Sequence, residues 1–487
     1  MKLNDLLKDI SFSIAGDQLP DMEITDITAD SRKAGPGIAF VCIPGERADG
    51  HDFAAGAVKA GCPVVIAQRD TGAPAPHILV EDTRLAYAFA CANYFGRPAD
   101  HLRLVGITGT NGKTTTSTLI KEILEASGHP SGLIGTICNM AGQKVLPSHL
   151  TTPEPYEFQK LLRAIADEGC EFAIMEVSSH ALAQERVAGC HFEAAVFTNL
   201  TQDHLDFHKT MENYMHAKQK LFKMADLGII NADDSHAEDF IKAATCKTVT
   251  YSARYMNATY TARNINLKAD GVEYEMVGNS LIGRVSASIP GGFSVYNTLA
   301  AAACAVSLGI PFRQVLEAMH HLGGVKGRIE VVPTGRDFTV IIDYAHTPDA
   351  LEKILKATHE FSKGRVVAVF GCGGDRDKTK RPIMGMVAAQ NADFCVVTSD
   401  NPRTEDPQTI IDDIMPGVES GDTPYAVVVN RREAIAFAMK NAQKDDVILL
   451  AGKGHEDYQI IGTEKHHFDE REVVADILKR LPPRGEE

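Results

Sequence analysis

Residues 104–124 constrain the fold more than any other stretch, because an apolar run, a glycine-containing turn and an amphipathic run follow one another directly. They read LVGITGTNGKTTTSTLIKEIL. The apolar run predicts a buried strand, and the apolar side chains that recur over residues 119–124 predict a helix that ends near Gly128. In a strand, glycine turn and helix of this order, backbone N–H groups and the positive end of the helix dipole can face the same anion. The stretch therefore predicts a phosphate-binding site.

The turn itself, residues 109–115, is close to a Walker A phosphate loop without matching it fully. The Walker pattern places a glycine five residues before Gly112, and Ile107 occupies that position. Lys113 can reach the outer phosphates of a nucleotide, and the Thr114 hydroxyl can bind Mg²⁺. The alternative is an ordinary strand-to-helix turn. The strand and helix patterns on either side favour phosphate binding, because the motif requires that context.

Composition excludes several classes of protein. The chain has 487 residues, enough for about three domains. A formal net charge of −15 at pH 7 argues against nucleic acid as a partner. The 10 cysteines contain no C-x-x-C pair, which predicts single thiols in a reducing compartment rather than disulfides or a zinc site. The N-terminus is too polar for a signal peptide and no apolar run approaches ~18 residues, so we expect a cytoplasmic protein without membrane insertion.

The predicted fold class is α/β with three domains. They are a mixed α/β N-terminal domain, a central P-loop-type domain with a parallel sheet, and a C-terminal Rossmann-like α/β domain, over residues 1–100, 101–330 and 331–487. In the first domain, a turn at Ser31 and Arg32 could hold a phosphate or be a solvated turn. In the second, residues 255–290 predict a small antiparallel part, and an alanine-rich helix is expected to begin at Asn297.

Polar residues follow the predicted strands of the central domain, where ligands of parallel sheets bind. A phosphate loop implies Mg²⁺, which prefers oxygen ligands, and Thr114 and Glu176 are the oxygen candidates. His204 offers nitrogen, a less typical ligand for magnesium. His204 and His208 lie four residues apart, which predicts a shared helical face, but a zinc site would need a third ligand. Lys218 lies in a helical pattern that by itself predicts a solvated side chain.

Four loops of the C-terminal domain follow predicted strands and are expected to converge on one crevice. They are residues 343–348, 371–377, 399–403 and 451–456. Arg376 and Arg403 can bind carboxylates in a bidentate manner, and Asp400 and Glu456 can bind an ammonium group. This mixture suits a zwitterionic ligand such as an amino acid. A surface network of ion pairs is the alternative.

Taken together, these stretches resemble the Mur ligases of peptidoglycan synthesis over all three predicted domains. The motifs that carry the resemblance are GTNGKTT, MEVSSH, DHLDFH, YMHAK, DYAHTPDAL, GDRDKTKRP, DNPRTEDP and GKGHEDYQ. The resemblance implies an ATP-dependent ligase that acts in cell wall biogenesis, and hence in cell shape and division. The DNPR sequence implies addition of meso-diaminopimelate to UDP-N-acetylmuramoyl-L-alanyl-D-glutamate through an acyl phosphate, with ADP and phosphate as products.

The resemblance also implies roles for residues of the central site. The ATP phosphate loop would be Gly109, Thr110, Asn111, Gly112, Lys113, Thr114 and Thr115. The base, phosphate and ribose of the nucleotide would contact Asn297, Arg328 and Asp343. The magnesium sites would be formed by Thr114, Glu176, His204 and a carbamylated Lys218, whose new carboxylate would help hold a second Mg²⁺. Lys113, His204 and Lys218 would therefore serve catalysis, and Lys218 would not be a solvated residue.

The two other substrates are assigned in the same way. The uridine-diphosphate end would contact Ala29 and Ser31 in a UDP-substrate-binding domain. The muramoyl-dipeptide would contact Thr151, Thr152, Ser178, Gln184 and Arg186. Diaminopimelate would contact Arg376, Asp400, Asn401, Pro402, Arg403, Gly452 and Glu456 in an amino-acid-binding domain. Leu150 departs from the asparagine found there in some members, so that one contact is not carried over to this chain.

Three alternatives remain at this point. The first is the same reaction with L-lysine, which lacks the distal carboxylate that Arg403 would bind. The second is a folylpolyglutamate synthase, against which the N-terminal Ser31-Arg32 turn and the DNPR loop argue. The third is a nucleotide-switch protein that binds ATP without ligation. A monomer is expected, and the chemistry predicts closure of the C-terminal domain onto the central site.

Overall fold

The computed structural model describes residues 1–14, 19–45, 48–268, 270–322 and 324–481. They form two compact units, the first of Met1–Tyr260 with Ala300–Val315, and the second of Thr261–Leu299 with the chain from Leu316 onward. Parallel sheets with flanking helices occur in both units, which confirms the α/β class. The predicted domain boundaries near residues 100 and 330 stay predictions. Among the described residues, none of the helices combines the length and apolarity that crossing a bilayer demands.

The N-terminal part of the first unit contains a five-stranded sheet. In spatial order its strands are Ser13–Ile14, His77–Leu79, Val64–Ala67, Ile38–Val41 and Asp26–Thr28. Only the first strand is antiparallel to its neighbour. Its helices are Leu3–Leu6, Ala54–Lys59 and Thr83–Tyr94, with 3₁₀ turns at Ser31–Lys33, Gly50–Phe53 and Pro98–His101. Asp82 caps the longest helix by accepting from the N–H groups of Arg84 and Leu85.

The central sheet of the first unit is built around the strand that precedes the glycine turn. In spatial order its strands are Lys247–Ser252, Ala225–Asn231, Phe192–Phe197, Arg103–Thr108, Phe172–Glu176, Ser131–Ile134, Asn139–Ala141 and Lys144–Leu146. The first six are parallel, as predicted, and the last two are antiparallel. Its helices are Lys113–Ala126, Pro155–Asp167, Ser179–Ala183, Leu205–His208, Met211–Gln219 and Ala237–Ala243, with a 3₁₀ turn at Lys220–Lys223. Ile107 pairs with Glu176 on one side and Val196 on the other, so three strand ends meet at the turn.

The second unit contains the predicted antiparallel part from Thr261 onward. Its strands are Tyr260–Lys268, Gly271–Gly278 and Leu281–Ala287. Its main sheet has, in spatial order, Glu330–Val332, Thr339–Asp343, Val447–Ala451, Val366–Phe370, Phe394–Val397 and Tyr425–Val427. Only the first of these is antiparallel. A hairpin of Tyr458–Ile461 and Glu464–His467 follows the fourth loop.

Helices cover both faces of this main sheet. They are Pro348–His359, Lys380–Asn391, Pro407–Val418, Arg431–Lys440 and Glu470–Arg480. Ile341 and Ala368 belong to one apolar core, whereas the adjacent Val340 and Val369 belong to another. Successive side chains of a strand face opposite sides, so a strand buried on both faces must be apolar throughout. This explains the continuous apolar runs that predicted a parallel sheet.

Two local predictions are wrong. The alanine-rich helix begins at Gly292, not at Asn297, and runs to Ser307; a second helix covers Phe312–His320. The N–H of Gly292 donates to Glu360 Oε2 at 3.1 Å, so a side chain from a distant helix satisfies an N–H at the helix start. The helix Leu205–His208 contains His208 but not His204, which precedes it in a left-handed conformation with φ +53°. His204 therefore lies outside the helix, although both imidazoles contact the rings of His180 and Tyr214.

Candidate active site

The glycine turn has a backbone shape that other residues could not adopt cheaply. Gly109 has φ +149° and Gly112 has φ +85°. A Cβ at Gly109 would lie 1.9 Å from Thr198 Oγ1, a separation that atoms do not tolerate. The Thr198 hydroxyl donates to the carbonyl of Asn111 at 2.6 Å, and Asn199 Oδ1 accepts from the Asn111 N–H at 2.9 Å. The end of the adjacent strand thus holds the turn in the concave form that a phosphate group requires.

The helix after the turn presents its N-terminus to that concavity. Lys113–Ala126 begins after Gly112, and no described side chain caps its start. The first N–H groups of such a helix are available to an anion. The Lys113 ammonium donates to the carbonyls of Gly109 at 2.9 Å and Thr110 at 2.8 Å, so it lies over the turn. The glycine turn, the start of the helix and Lys113 therefore fit the phosphates of a nucleoside triphosphate.

Glu176 is buried next to the start of this helix. Its carboxylate accepts from the Thr114 hydroxyl at 2.9 Å, the Thr136 hydroxyl at 2.9 Å and the Thr136 N–H at 2.8 Å. Thr114 and Glu176 together supply the hydroxyl and carboxylate oxygens that Mg²⁺ prefers. The described residues contain no group of three or more His, Cys, Asp or Glu side chains that could hold a metal. The predicted magnesium ligands do not form such a group, because two of them, the Thr114 hydroxyl and the carbamylated Lys218, are not His, Cys, Asp or Glu side chains.

Lys218 is buried beside the same turn, so the prediction of a solvated side chain from its local pattern is wrong. Only 1% of the residue is exposed. Its ammonium donates to the Gly109 carbonyl at 2.8 Å and lies 4.6 Å from the centroid of the Tyr214 ring. Burial, with repulsion from Lys113, lowers the pKa of Lys218 well below its usual value. The lowered pKa increases the share of Lys218 that is in the neutral, nucleophilic form.

The histidines near the turn differ in exposure. The side chain of His204 is 48% exposed, and its ring lies 4.8 Å from the ring of His180. His208 is buried and its Nε2 lies 2.9 Å from the Ser179 hydroxyl. Burial, with repulsion from neighbouring histidines, lowers the pKa of His208 to about 4. His204 is thus the accessible imidazole, and His208 has a structural contact.

A cleft of about 840 Å³ in the first unit brings together residues predicted for the nucleotide-peptide substrate. Ala29 and Ser31 line it together with Gln184 and Arg186. Arg186 donates to Gln184 Oε1 at 2.7 Å and to the carbonyl of Thr152 at 2.9 Å. The remaining predicted residues are close to the carboxylate of Glu176 or its backbone: Thr151 contacts Thr136 at 3.0 Å, and Thr152 donates to the Glu176 carbonyl at 2.9 Å and to the Ser178 hydroxyl at 3.3 Å. Four of the residues predicted for the nucleotide-peptide substrate therefore line this cleft.

Three of the four C-terminal loops contact one another through residues predicted for the amino acid. Asn401 Nδ2 donates to Glu456 Oε2 at 2.9 Å, and Arg403 donates to the Gly374 carbonyl at 2.8 Å. Gly452 has φ +118°, and a Cβ there would lie 2.4 Å from Asp400 Oδ2. Arg376 is exposed and donates to the Asp375 carbonyl. Carboxylates and guanidinium groups thus lie within one cluster of loops at matching strand ends.

The loop of residues 451–456 lies beside a segment that carries predicted nucleotide contacts. Asp343 is buried and accepts from the N–H groups of Ile329 at 2.9 Å and Ala345 at 2.8 Å. Burial raises the pKa of Asp343 above its usual value. A Cβ at Gly327 would lie 2.0 Å from the backbone nitrogen of His455. The backbone before Arg328 therefore packs directly on the loop of residues 452–456.

The two remaining predicted nucleotide residues also lie in the second unit. Asn297 is buried within the helix Gly292–Ser307. The Arg328 guanidinium lies 5.1 Å from the centroid of the Tyr344 ring. Pro402 is buried between Asn401 and Arg403. Arg403 itself has φ +51°, an uncommon conformation for a residue with a side chain.

Sequence reasoning missed several residues that shape these sites. Thr198 and Asn199 hold the glycine turn, and their polar character at a strand end was the available signal. Thr136 holds Glu176 and Lys453 contacts Asn401, but neither has a local pattern that distinguishes it from a surface residue. Such residues are recognisable only from the contacts that the fold creates.

Comparison with known proteins agrees with the motifs. Three family descriptions match in order along the chain: "Mur ligase family, catalytic domain" over residues 23–94, "Mur ligase middle domain" over 107–305, and "Mur ligase, glutamate ligase domain" over 327–454. A UDP-N-acetylmuramoyl-L-alanyl-D-glutamate–2,6-diaminopimelate ligase of Caldanaerobacter subterraneus subsp. tengcongensis is 48% identical, covering 98% of this chain and 99% of the relative. An enzyme with the same name from Clostridium botulinum is 45% identical, covering 99% of this chain and 100% of the relative.

Solved structures show the same relationship. A structure of a UDP-N-acetylmuramoyl-L-alanyl-D-glutamate–2,6-diaminopimelate ligase has a TM-score of 0.75 and 33% identity, and covers 99% of both chains. A MurF structure from Acinetobacter baumannii, at 20% identity and a TM-score of 0.62 over 98% of both chains, shares the fold. Relatives at these identities over nearly full length establish that this chain belongs to the Mur ligase family of ATP-dependent ligases and has its three-domain α/β fold.

Proposed function

We propose that this chain is the ATP-dependent ligase that adds meso-diaminopimelate to UDP-N-acetylmuramoyl-L-alanyl-D-glutamate in peptidoglycan precursor synthesis. The reaction passes through an acyl phosphate of the D-glutamate side chain and releases ADP and phosphate. Full-length relatives that carry the name of this activity support the assignment. The observation that carries it is the glycine turn with two buried side chains beside it, the carboxylate of Glu176 and the amine of Lys218.

The turn and Lys113 bind and orient the phosphates of ATP. ATP, when bound, supplies the phosphoryl group that makes the substrate carboxyl carbon electrophilic. The N–H groups at the start of the helix Lys113–Ala126 and the Lys113 ammonium neutralise negative charge on the phosphates. Asn297, Arg328 and Asp343 are proposed to contact the base, phosphate and ribose. Their role is positioning, because phosphoryl transfer depends on orientation more than on covalent chemistry by the protein.

Magnesium sites are proposed at Thr114, Glu176, His204 and Lys218. The hydroxyl and carboxylate of the first two suit a hard cation, and His204 is accessible to a further one. A lysine reacts with carbon dioxide through its neutral amine, and the lowered pKa of Lys218 favours that form. The buried environment of Lys218 therefore supports carbamylation, and the resulting carboxylate would be another oxygen ligand.

The amino-acid site is proposed in the C-terminal loops, and its charges favour diaminopimelate over lysine. Arg376 and Arg403 would bind a carboxylate, while Asp400 and Glu456 would bind an ammonium group. L-lysine has no distal carboxylate for Arg403, so it would leave that guanidinium without its ligand. A preference for lysine remains the alternative outcome of the test below.

The muramoyl nucleotide is proposed to bind in the 840 Å³ cleft, with its uridine-diphosphate end near Ala29 and Ser31. Gln184 and Arg186 line the same cleft and would contact the muramoyl-dipeptide. We propose that the protein works in the cytoplasm as a monomer. All ten cysteines are free, as suits a reducing compartment.

Phosphate release tests the function directly. Purified protein is given ATP, Mg²⁺ and UDP-N-acetylmuramoyl-L-alanyl-D-glutamate, and the added amino acid is varied among meso-diaminopimelate, L-lysine and none. We expect stoichiometric phosphate release and a tripeptide product with diaminopimelate alone. Turnover with lysine would overturn the specificity, and ATP hydrolysis unaffected by any amino acid would support a nucleotide-switch protein instead. Lys113→Ala should abolish turnover, whereas Lys160→Ala, at an exposed lysine of the helix Pro155–Asp167, should not.

A further inference from the structure

Lys453 is a buried cation in the loop that follows the strand Val447–Ala451. Its side chain is 0% exposed. Lysine is almost never buried to this extent unless its charge is paired. The ammonium donates to Asn401 Oδ1 at 3.2 Å and to Glu456 Oε2 at 3.3 Å, and lies 5.8 Å from the centroid of the Tyr458 ring. Both hydrogen-bond partners belong to the proposed amino-acid site, whereas Lys453 itself has no role assigned.

The contact fixes which way the Asn401 amide faces. Its Oδ1 accepts from Lys453 and also from the N–H of Ile460 at 2.9 Å. Its Nδ2 donates to Glu456 Oε2 at 2.9 Å. A rotation of the amide would place its NH₂ group against two donors and its oxygen against a carboxylate. Lys453 and Ile460 together therefore exclude the flipped amide.

The same contact divides the two oxygens of Glu456 between different tasks. Oε2 accepts from both Lys453 and Asn401, whereas no described residue donates to Oε1. The side chain of Glu456 is 15% exposed, so its carboxylate is held by one oxygen while remaining partly accessible. An ammonium group of a bound amino acid would find Oε1 as its acceptor.

We propose that Lys453 is a positioning residue for the amino-acid substrate, acting through Asn401 and Glu456; the inference rests on the proposed function. It locks the Asn401 amide and leaves Glu456 Oε1 to the ammonium group of diaminopimelate. An apolar side chain of similar length would fill the same space at a smaller desolvation cost. The charge therefore contributes the orientation of the two binding side chains rather than packing.

Lys453→Met tests the inference in steady-state ligase assays with meso-diaminopimelate. The loss of a charged donor to two site residues should raise the KM for diaminopimelate by about 10- to 100-fold. The kcat at saturating diaminopimelate and the KM values for ATP and the muramoyl nucleotide should stay within about threefold of wild type. A purely structural role predicts losses shared by all three substrates together with a lower melting temperature. An unchanged KM for diaminopimelate, or losses shared by all three substrates, would overturn the proposal.

Lys465→Met is the matched control. Lys465 also lies over the Tyr458 ring, at 4.1 Å from the centroid, but it is exposed and belongs to the hairpin strand Glu464–His467. Its loss should leave all KM values unchanged. Wild-type protein that shows no diaminopimelate-dependent turnover would refute the proposed function. Active wild type with an unaltered Lys453→Met variant would refute only the role of Lys453.

Two further variants keep the test decisive. If Lys453→Met does not fold, Lys453→Gln keeps a polar group in the polar site. Its amide is uncharged and one bond shorter than the lysine chain, and the lysine contacts are already 3.2 and 3.3 Å long, so it should raise the KM for diaminopimelate in the same selective way. A Lys453→Gln variant with a wild-type KM would contradict the proposal. The double variant Lys453→Met with Glu456→Gln should lose less affinity for diaminopimelate than the sum of the two single losses, because the two residues share one contact. Fully additive losses would show that Lys453 does not act through Glu456.

Discussion

Gly109→Ala is the substitution whose effect follows most directly from the geometry. A Cβ at this position would lie 1.9 Å from Thr198 Oγ1 and 3.0 Å from the carbonyl oxygen of Asn199. Thr198 is buried and its hydroxyl donates to Asn111, so it cannot move away without losing that hydrogen bond. The backbone at φ +149° is also in a region that residues with a side chain rarely adopt. The added methyl group must therefore deform the glycine turn.

The expected magnitude is the sum of two effects. A residue with a side chain held in such a backbone region costs about 1–3 kcal/mol. Loss of the hydrogen bond from Thr198 to Asn111 costs about 1 kcal/mol more. If the turn deforms in the folded protein, a total of about 2–4 kcal/mol corresponds to roughly 30- to 700-fold weaker nucleotide binding. If the turn keeps its shape, the same free energy lowers the stability of the protein instead.

Calorimetric titration with a non-hydrolysable ATP analogue, together with thermal unfolding, separates these two cases. Gly128→Ala is the control, because Gly128 has φ +89° with nothing within 4 Å of its Cβ position, so only backbone strain is added. That variant should lose some stability and bind the analogue normally. Thr198→Ala introduced into Gly109→Ala should restore part of the loss, since it removes the nearest atom. Wild-type affinity in Gly109→Ala, with stability equal to that of Gly128→Ala, would refute the reasoning.

Three other changes have expected outcomes. Lys218→Ala should lose ligase activity and regain part of it with added formate or acetate, which could replace the carbamate; no recovery in the phosphate-release assay would count against carbamylation. Arg403→Ala should raise the KM for diaminopimelate by about 10- to 100-fold while leaving that for ATP nearly unchanged, and a parallel rise in both would contradict the assignment. Glu405 accepts two hydrogen bonds from the buried Arg381. These bonds are the main reason that the pKa of Glu405 falls from 4.5 to about 2. The stabilisation that this pair gives is complete above pH 4.5 and should be lost as pH falls from 4.5 towards 2. Thermal unfolding over that range should show the decline in wild type, whereas Arg381→Met should melt several degrees lower at neutral pH and show less of it.

The sheets were predictable from the sequence because their strands are buried on both faces. Runs such as residues 366–370 and 447–450 contain only apolar residues, and the polar loops follow them directly. The start of the helix at Gly292 was not predictable, because the acceptor for its first N–H is Glu360, 68 residues away. Local capping patterns report only on neighbours in sequence. A cap supplied by the tertiary fold leaves no such pattern.

The candidate site was predictable where chemistry and spacing coincide, as in the glycine turn with Lys113. The environment of Lys218 was not, because a lysine among helical residues has the same local pattern whether it is solvated or buried. Lys453 was missed because a lysine between two glycines of a loop gives no sign in the sequence that it is buried. The left-handed backbone of His204 also has no pattern in the sequence, since residues other than glycine rarely adopt it. Burial and backbone conformation depend on neighbours that only the fold brings together.

The backbone-to-backbone contact at Gly327 restricts which substitutions related sequences with this packing can accept. A Cβ at Gly327 would lie 2.3 Å from the carbonyl carbon of Gly454 and 2.0 Å from the backbone nitrogen of His455. A substitution can shorten a side chain, but it cannot remove backbone atoms. A mutation to alanine would have to be accompanied by a displacement of residues 452–456, which also carry Glu456. A substitution at Gly327 therefore requires a compensating change in that loop. A library that randomises residue 327 alone should recover almost only glycine among active clones.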